Sequence, residues 1–506
     1  MRVIPGKAAV DARLRRFEGE GSVTQSIFWY DFETTGIDPR RDRPLQVAGV
    51  RTDLDLTEIG EPLNLHCRLS EDVLPHPAAC LVTGILPETL QRLGLRERDF
   101  IQRLHAELAQ PQTCTVGYNN LRFDDEMLRH SLYRNFHDPY GREWQQGNSR
   151  WDVLGLIRAL YAFRPESLNW PQENDRVSLR LDRLTMANGI EHGQAHDALA
   201  DVRATLALAR LVRQRQPRLY DYLWSLRQKK AAQARIRLLE PVLHVSGRFS
   251  AERHFLAPVL PLAWHPVNRN ALIVCDLGAA PEPLFELEVD SLRQRLYTRR
   301  DDLAPGELPV PLKLVQINKC PILAPFSVLR PEDCERLQFD PAAVWRTVRQ
   351  ILAQSEVWRP KLPLIYSPPA AVPGEALDAE LRLYDGFIDA QERQLCDQLR
   401  ECPPEQLGER TWPFRDDRHP ELFFRYRARN FPELLTAHEG RLWRQFCRQR
   451  LLQGETQGQL TCAQFMALTE ELRRQASVDQ LPVLDAWSAH VRKVLAQLEE
   501  SVADAT

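Results

Sequence analysis

Asp31 and Glu33, in the segment Phe28-Trp-Tyr-Asp-Phe-Glu-Thr-Thr-Gly36, are two carboxylates placed to do chemistry together. Apolar and aromatic residues up to Phe32 predict a buried strand, and Thr34, Thr35 and Gly36 end it. Residues two apart on a strand share a face, so both acids project side by side. Two anions held together at the end of a buried strand repel, and a divalent cation between them turns that repulsion into binding. Hard carboxylate oxygens suit Mg²⁺, with Mn²⁺ able to substitute. Taken alone, Asp-x-Glu reads more readily as a solvated strand end.

Two later segments change the weighing. In Thr113-Cys-Thr-Val-Gly-Tyr-Asn-Asn-Leu-Arg-Phe-Asp-Asp-Glu126 a strand ends at Gly117 and a helix opens near Asp124. An acid in a first helical turn is ordinary capping when it stands alone. Ala195-His-Asp-Ala-Leu-Ala-Asp-Val202 opens a long apolar-periodic helix. Its spacing suits a proton acceptor at His196 beside a metal ligand at Asp201, better than two ligands.

Together Asp31, Glu33, Asp124, His196 and Asp201 resemble the catalytic set of the DEDD exonucleases, histidine subtype, in the order strand, strand-turn-helix and late helix. Further segments resemble the bacterial exonuclease I family: Asp42-Arg-Pro44, Leu81-Val-Thr-Gly-Ile85, Asn148-Ser-Arg-Trp-Asp152, Asn188-Gly-Ile-Glu-His192, Ala263-Trp-His-Pro266, Ile317-Asn-Lys-Cys-Pro321 and Phe424-Arg-Tyr-Arg-Ala-Arg-Asn-Phe431. The likeness runs from about Ser26 to Phe431. It implies hydrolysis of single-stranded DNA from the 3′ end, releasing 5′-mononucleotides, in DNA repair and recombination. It also implies a ribonuclease H-like α/β nuclease domain (26–215), an SH3-like β-rich domain (216–370) and a helical C-terminal domain (371–506). Residues 1–25 fall outside the likeness and are expected to be a disordered leader.

Four carboxylates suit two-metal hydrolysis, in which paired ions stabilise the attacking and leaving oxygens of an in-line displacement. Asp31 is the expected bridge, Glu33 and Asp201 complete one ion's shell, and Asp124 the other's. His196 would take the proton of the attacking water, a task fitted to an unperturbed pKa near ~6.5. Arg129, Tyr140, Trp144 and Arg158 supply aromatic faces and cations for a single strand, and by resemblance Arg180 and Glu33 meet the terminal nucleotide. Read without the family, Tyr140 and Trp144 fit loop-anchoring core aromatics slightly better. The resemblance further implies a partner, the acidic C-terminal tail of single-stranded DNA-binding protein, with Arg164, Tyr222 and Arg330 as its receivers.

The bulk properties bound these readings. A chain of 506 residues exceeds one core. Its net charge of −3 means that phosphate contacts need local cations rather than a basic whole. Such cations crowd Arg210, Arg213, Arg215, Arg218, Arg227, Lys229, Lys230, Arg235 and Arg237, which also fit a solvated helix face. Ten scattered cysteines lack metal-ligand spacing and fit a reducing cytoplasm. No apolar run spans a bilayer, and a monomer is expected.

Strands are predicted at 27–31, 45–52, 63–69 and 113–118, and helices near 100–108, 125–135, 153–163 and 198–212. Short β runs at 242–245, 271–275 and 313–317 surround a helix at 289–297. Pro363, Pro368, Pro369, Pro373 and Gly374 mark a linker, beyond which Leu381, Leu383 and Phe387 open a helical pattern. Two competitors share the acidic set or the strand-binding surface: an exoribonuclease or proofreading exonuclease, and a catalytically silent single-stranded DNA-binding scaffold. A lone nuclease domain would favour the first and a missing acid the second. Neither holds here.

Overall fold

Strand β1 (Ser26–Thr34) is apolar on both faces and so occupies the middle of the first sheet. Ile27 and Trp29 face one way, Phe28, Tyr30 and Phe32 the other, and all five are buried. The computed structural model describes residues 24–191, 193, 197–367, 377–454 and 458–500. The expected leader up to residue 23, the linker residues Pro368, Pro369, Pro373 and Gly374, and His196 lie outside the described residues.

β2 (Pro44–Thr52) and β3 (Leu63–His66) extend the sheet antiparallel from one edge of β1. β4 (Thr113–Gly117) and β5 (Ser149–Asp152) extend it in parallel from the other, giving the order β3-β2-β1-β4-β5. Helices α1 (Glu97–Leu108) and α2 (Asp124–Arg134) cover Phe28, Tyr30 and Phe32 through Phe100, Leu104, Met127 and Leu128. α3 (Val153–Phe163) and α4 (Ala198–Arg215) cover the opposite face through Leu156, Val202 and Leu206 against Trp29, Ala48 and Val50. This is the mixed sheet with flanking helices that the sequence leads one to expect. β5 escaped the sequence reading because four residues carrying Arg150 and Asp152 show no alternation. The parallel edge of β4 makes the strand.

A second, wholly antiparallel sheet follows, with the order β9-β8-β7-β6-β10. Its strands are β6 (Val242–Val245), β7 (Leu256–Trp264), β8 (Ala271–Asp276), β9 (Leu312–Gln316) and β10 (Ile322–Ala324). Pro258 and Pro261 hid β7, since proline cannot donate to a ladder. The register against β8 slips beside Pro261, which absorbs the missing donor in a bulge. The predicted helix is present as Val289–Tyr297.

The C-terminal region is helical, with α5 (Ala390–Glu401) and α6 (His419–Asn430) leading into Ala437–Arg448, Cys462–Arg473 and Leu481–Glu500. Two expectations need correcting here. Pro363 belongs to the helix Lys361–Ile365 rather than to a linker. Leu383 and Phe387 lie on turns and irregular chain before α5, with Leu381 closing a short 3₁₀ turn, so none of them opens a long helix. All ten cysteines are free thiols; eight are buried and Cys320 and Cys334 half-buried. Among the described residues no helix is long and apolar enough to cross a membrane.

Candidate active site

β1 delivers Asp31 and Glu33 to the α4 face, just past the end of its apolar run at Trp29. α4 begins at Ala198 and carries Asp201 on its first turn. One oxygen from each of Asp31, Glu33 and Asp201 lies within 4.8 Å of the others. Asp124 enters from α2, where its Oδ1 accepts the Phe32 backbone N–H at 3.1 Å, between the two acids of β1. That approach requires β4 to run tightly against β1. A methyl at Gly117 would sit 2.9 Å from the Tyr30 carbonyl oxygen, so glycine is needed there.

The acids are held against their preference. Burial pushes the Asp31 carboxyl well above its ordinary value, with Asp124, Glu33 and Asp201 adding to it. Burial, then Asp201, Asp124 and Asp197, push Glu33 up to about 8. Burial pushes Asp124 up to about 7 despite the Phe32 hydrogen bond. Crowded carboxylate oxygens are the donor set a hard divalent ion requires, so the residues fit a metal. Asp197, which follows His196, caps α4 by accepting from the Ala200 N–H at 3.0 Å.

Asp125, the neighbour of Asp124, is an anchor of a different kind. It is fully buried, accepts from Tyr30 Oη at 2.6 Å and is clamped by Arg142 at 2.5 Å and Arg150 at 2.9 Å. Burial pushes its carboxyl up, but the two guanidinia outweigh that and hold it well below the usual range. This anchor fixes the first turn of α2, and no sequence signal marks it.

Trp144 is 66 % exposed, on a chain reversal after α2, which disfavours a core role for it. Tyr140 is half-buried and meets Phe387 edge-on at 5.7 Å, while Phe387 itself is 89 % exposed. Tyr140, Trp144, Leu383 and Phe387 line one mostly apolar cavity of about 260 Å³. Phe387, whose apolar spacing suggested a helix, forms part of this cavity wall instead. Arg129, expected to offer a free cation, is instead internal. Glu143 takes its guanidinium at 2.7 and 2.8 Å and Glu126 at 2.7 Å, and it lies 5.3 Å from the Tyr140 ring centre. Its charge is spent within the fold and holds Tyr140 in place.

Arg158 lines a cavity of about 440 Å³ between the two sheets, together with Asn119, Arg248, Lys313 and Lys319. Arg180 is exposed and pairs with Asp182 at 3.2 Å. Arg164 and Arg330 converge on Asp333, at 3.3 and 2.8 Å, and Tyr222 donates to the Leu323 carbonyl at 2.5 Å. Part of the basic stretch from Arg210 to Arg237 is engaged within the fold, while Arg218 and Lys230 are exposed. Arg210 and Arg213 bind the carbonyls of Leu56 and Leu54, Arg215 that of Ser167, and Arg227 stacks 3.8 Å over Trp224.

Comparison with known proteins agrees along nearly the whole chain. Residues 28–209 match the Exonuclease family, 227–368 the Exonuclease I SH3-like domain and 377–494 the Exonuclease I C-terminal domain. Exodeoxyribonuclease I of Escherichia coli is 45 % identical over 434 residues, 85 % of this chain and 90 % of its own. The solved exonuclease I of Methylocaldum szegediense superimposes with a TM-score of 0.87 at 44 % identity, covering 93 % of this chain and 99 % of its own. The zinc-bound complex of E. coli exonuclease I with single-stranded DNA gives 0.87 at 42 % identity, covering 93 % and 100 %. The chain belongs to the bacterial exonuclease I family.

Proposed function

We propose that this protein is a 3′–5′ exodeoxyribonuclease that hydrolyses single-stranded DNA to 5′-mononucleotides, acting as a monomer in the cytoplasm in DNA repair and recombination. The meeting of Asp31, Glu33 and Asp201 within 4.8 Å, in a chain of this family, carries the reading. Asp31, Glu33 and Asp201 would hold one Mg²⁺, and Asp31 with Asp124 a second. Bound there, the ions would lower the pKa of a water and neutralise charge building at phosphorus.

The protein's own groups do the rest. His196 accepts the proton of the attacking water. Asp125, through Arg142 and Arg150, keeps Asp124 from swinging away. Arg180 and Glu33 orient the terminal nucleotide. Arg158 takes a phosphate in the cavity between the sheets, and Tyr140, Trp144 and Phe387 offer ring faces to successive bases. A matched pair of 5′-labelled DNA and RNA strands, incubated with Mg²⁺, tests the activity. Stepwise shortening of the DNA from its 3′ end, stopped by chelator and much slower for the RNA, is expected. An intact DNA strand would sink the reading, and faster RNA loss would turn it toward an exoribonuclease.

Stacking on an aromatic is worth roughly 1–3 kcal/mol per base. Trp144→Ala is therefore expected to weaken oligonucleotide binding about tenfold or more at an unchanged melting temperature. A fall in melting temperature instead would make Trp144 a structural anchor.

Arg164, Tyr222 and Arg330 support a second contact, with the acidic C-terminal tail of single-stranded DNA-binding protein. Arg330 is partly exposed and its pairs with Glu166 and Glu332 are solvent-facing, so an incoming carboxylate can replace them at little cost. A labelled tail peptide is expected to bind at low salt and to be released as salt rises. Arg330→Ala should weaken that binding severalfold, and equal binding by the variant would remove Arg330 from the contact.

A further inference from the structure

One imidazole near the acids has no role in the chemistry above. In the sheet register Glu33 stands opposite Gln46 on β2, and Gln46 opposite His66 on β3. Directly paired residues share a face, so Glu33, Gln46 and His66 form one transverse row on the α4 side of the sheet. Two strand spacings separate its ends, roughly 10 Å. Deeper on the same face the rows are Trp29 with Val50 and Ile27 with Thr52, packed beneath α4. The row at Glu33 is polar throughout, and Gln46 is buried with its amide donating to Asn64 Oδ1 at 2.9 Å.

α4 packs on β1 and β2. The Asp197 carboxylate that caps the helix acts on both Glu33 and His66, which puts it within reach of both ends. His66 is half-buried, and among the described residues its ring makes no hydrogen bond, ion pair or aromatic contact. Its nitrogens are not among the ligand atoms gathered at Asp31, Glu33 and Asp201, so it is no part of that metal set. The cross-strand row thus leads from the metal-binding acids to an unengaged imidazole across a floor of amide groups. A nucleotide, with hydroxyl and base acceptors spread over about that length, fits such a floor. A bare ion does not.

We infer that His66 binds the sugar–base portion of the strand's 3′-terminal nucleotide, donating an imidazole N–H to it while the adjoining phosphate lies at the acids. The inference rests on the exonuclease reading above and names a substrate contact on β3 within that site. The same contact would hold the 5′-mononucleotide after cleavage.

Steady-state degradation of a short DNA strand, and inhibition by 5′-dAMP, should be measured for the wild type, His66→Ala and His66→Asn. Loss of a neutral hydrogen bond to a bound ligand is worth up to about tenfold. His66→Ala is therefore expected to raise KM and the 5′-dAMP inhibition constant together by about five- to tenfold. Its kcat and the Mg²⁺ concentration for half-activity should stay within about twofold, and His66→Asn, which keeps a donor, should recover most of the loss. An unchanged KM and inhibition constant in His66→Ala, with the wild type active, would overturn the contact alone. So would a shifted Mg²⁺ requirement or a collapsed kcat, which would make His66 a support of the acids. A wild type that leaves the strand intact would overturn the exonuclease reading and this inference with it.

Discussion

Asp31→Asn is expected to abolish Mg²⁺-dependent hydrolysis, by on the order of 10³-fold or more, while the protein still binds a single strand. The size follows from the several kcal/mol of charge stabilisation that a metal pair supplies, every ~1.4 kcal/mol being tenfold. Asp31 is buried and repelled by Asp124, Glu33 and Asp201 at once, so it would be the ligand common to both ions and no neighbour could take its place. Burial, with that repulsion added, raises the Asp31 carboxyl itself, and its removal gives the substitution a second signature. Glu33 and Asp124, with folded pKa values pushed up to about 8 and about 7, bind protons in the metal-free fold that the unfolded chain has released. Where the folded state holds more protons, stability falls as pH rises. The metal-free wild type should therefore lose melting temperature steadily between pH 5 and pH 8, and Mg²⁺ should restore it. Asp31→Asn should flatten that slope and melt higher than the metal-free wild type at pH 8. Thermal melts with chelator and with Mg²⁺ check both. A metal-free wild type equally stable at pH 5 and pH 8 would mean that the acids are not forced together.

The centre of this site is legible in the sequence because strand periodicity is strict. Once Phe28 to Phe32 is a buried strand, Asp31 and Glu33 must share a face, the one that α3 and α4 cover in the fold. What the sequence conceals depends on contacts between remote residues. Arg129 looks like any surface arginine until Glu126 and Glu143 are seen to enclose it. Phe387 fits an apolar helical spacing, yet the chain there is neither helix nor strand and the ring is turned to solvent beside Tyr140. His66 carries no motif, and only the register of three strands puts it in line with Glu33. β7 shows the reverse failure, a central strand hidden because prolines argue against one until the bulge at Pro261 is seen.

Glu380→Gln is expected to destabilise the seam between the nuclease sheet and the C-terminal helices by about 3–5 kcal/mol, the cost of removing one partner from a buried ion pair. Glu380 is 2 % exposed, receives Arg43 at 2.6 Å and pairs with Arg429, which also binds the fully buried Asp72 at 2.7 Å. Arg450 approaches both acids, at 3.5 and 3.8 Å. Arg425 adds a contact to Glu380 at 3.7 Å, so four guanidinia surround two carboxylates out of water, and loss of one carboxylate enlarges a positive excess that no solvent screens. Surface pairs such as Arg96 with Glu433 cannot compensate, since exposed pairs contribute at most about 1 kcal/mol. The damage should reach the site through Arg43, whose N–H donates to Thr35 Oγ1 at 2.9 Å and whose carbonyl accepts the Thr35 N–H at 2.9 Å, two residues beyond Glu33. Burial raises the Asp72 and Glu380 carboxyls, but the surrounding arginines outweigh it and hold both well below the usual range. Their contribution is therefore complete above about pH 4 and lost only as pH falls below it, opposite in sign to that of the metal-binding acids. Limited proteolysis at neutral pH should release the C-terminal helices from Glu380→Gln far faster than from the wild type, with strand degradation reduced in proportion. Equal cleavage rates would show that the seam is held by its apolar contacts, such as Trp487 buried against Ile85, and not by this cluster.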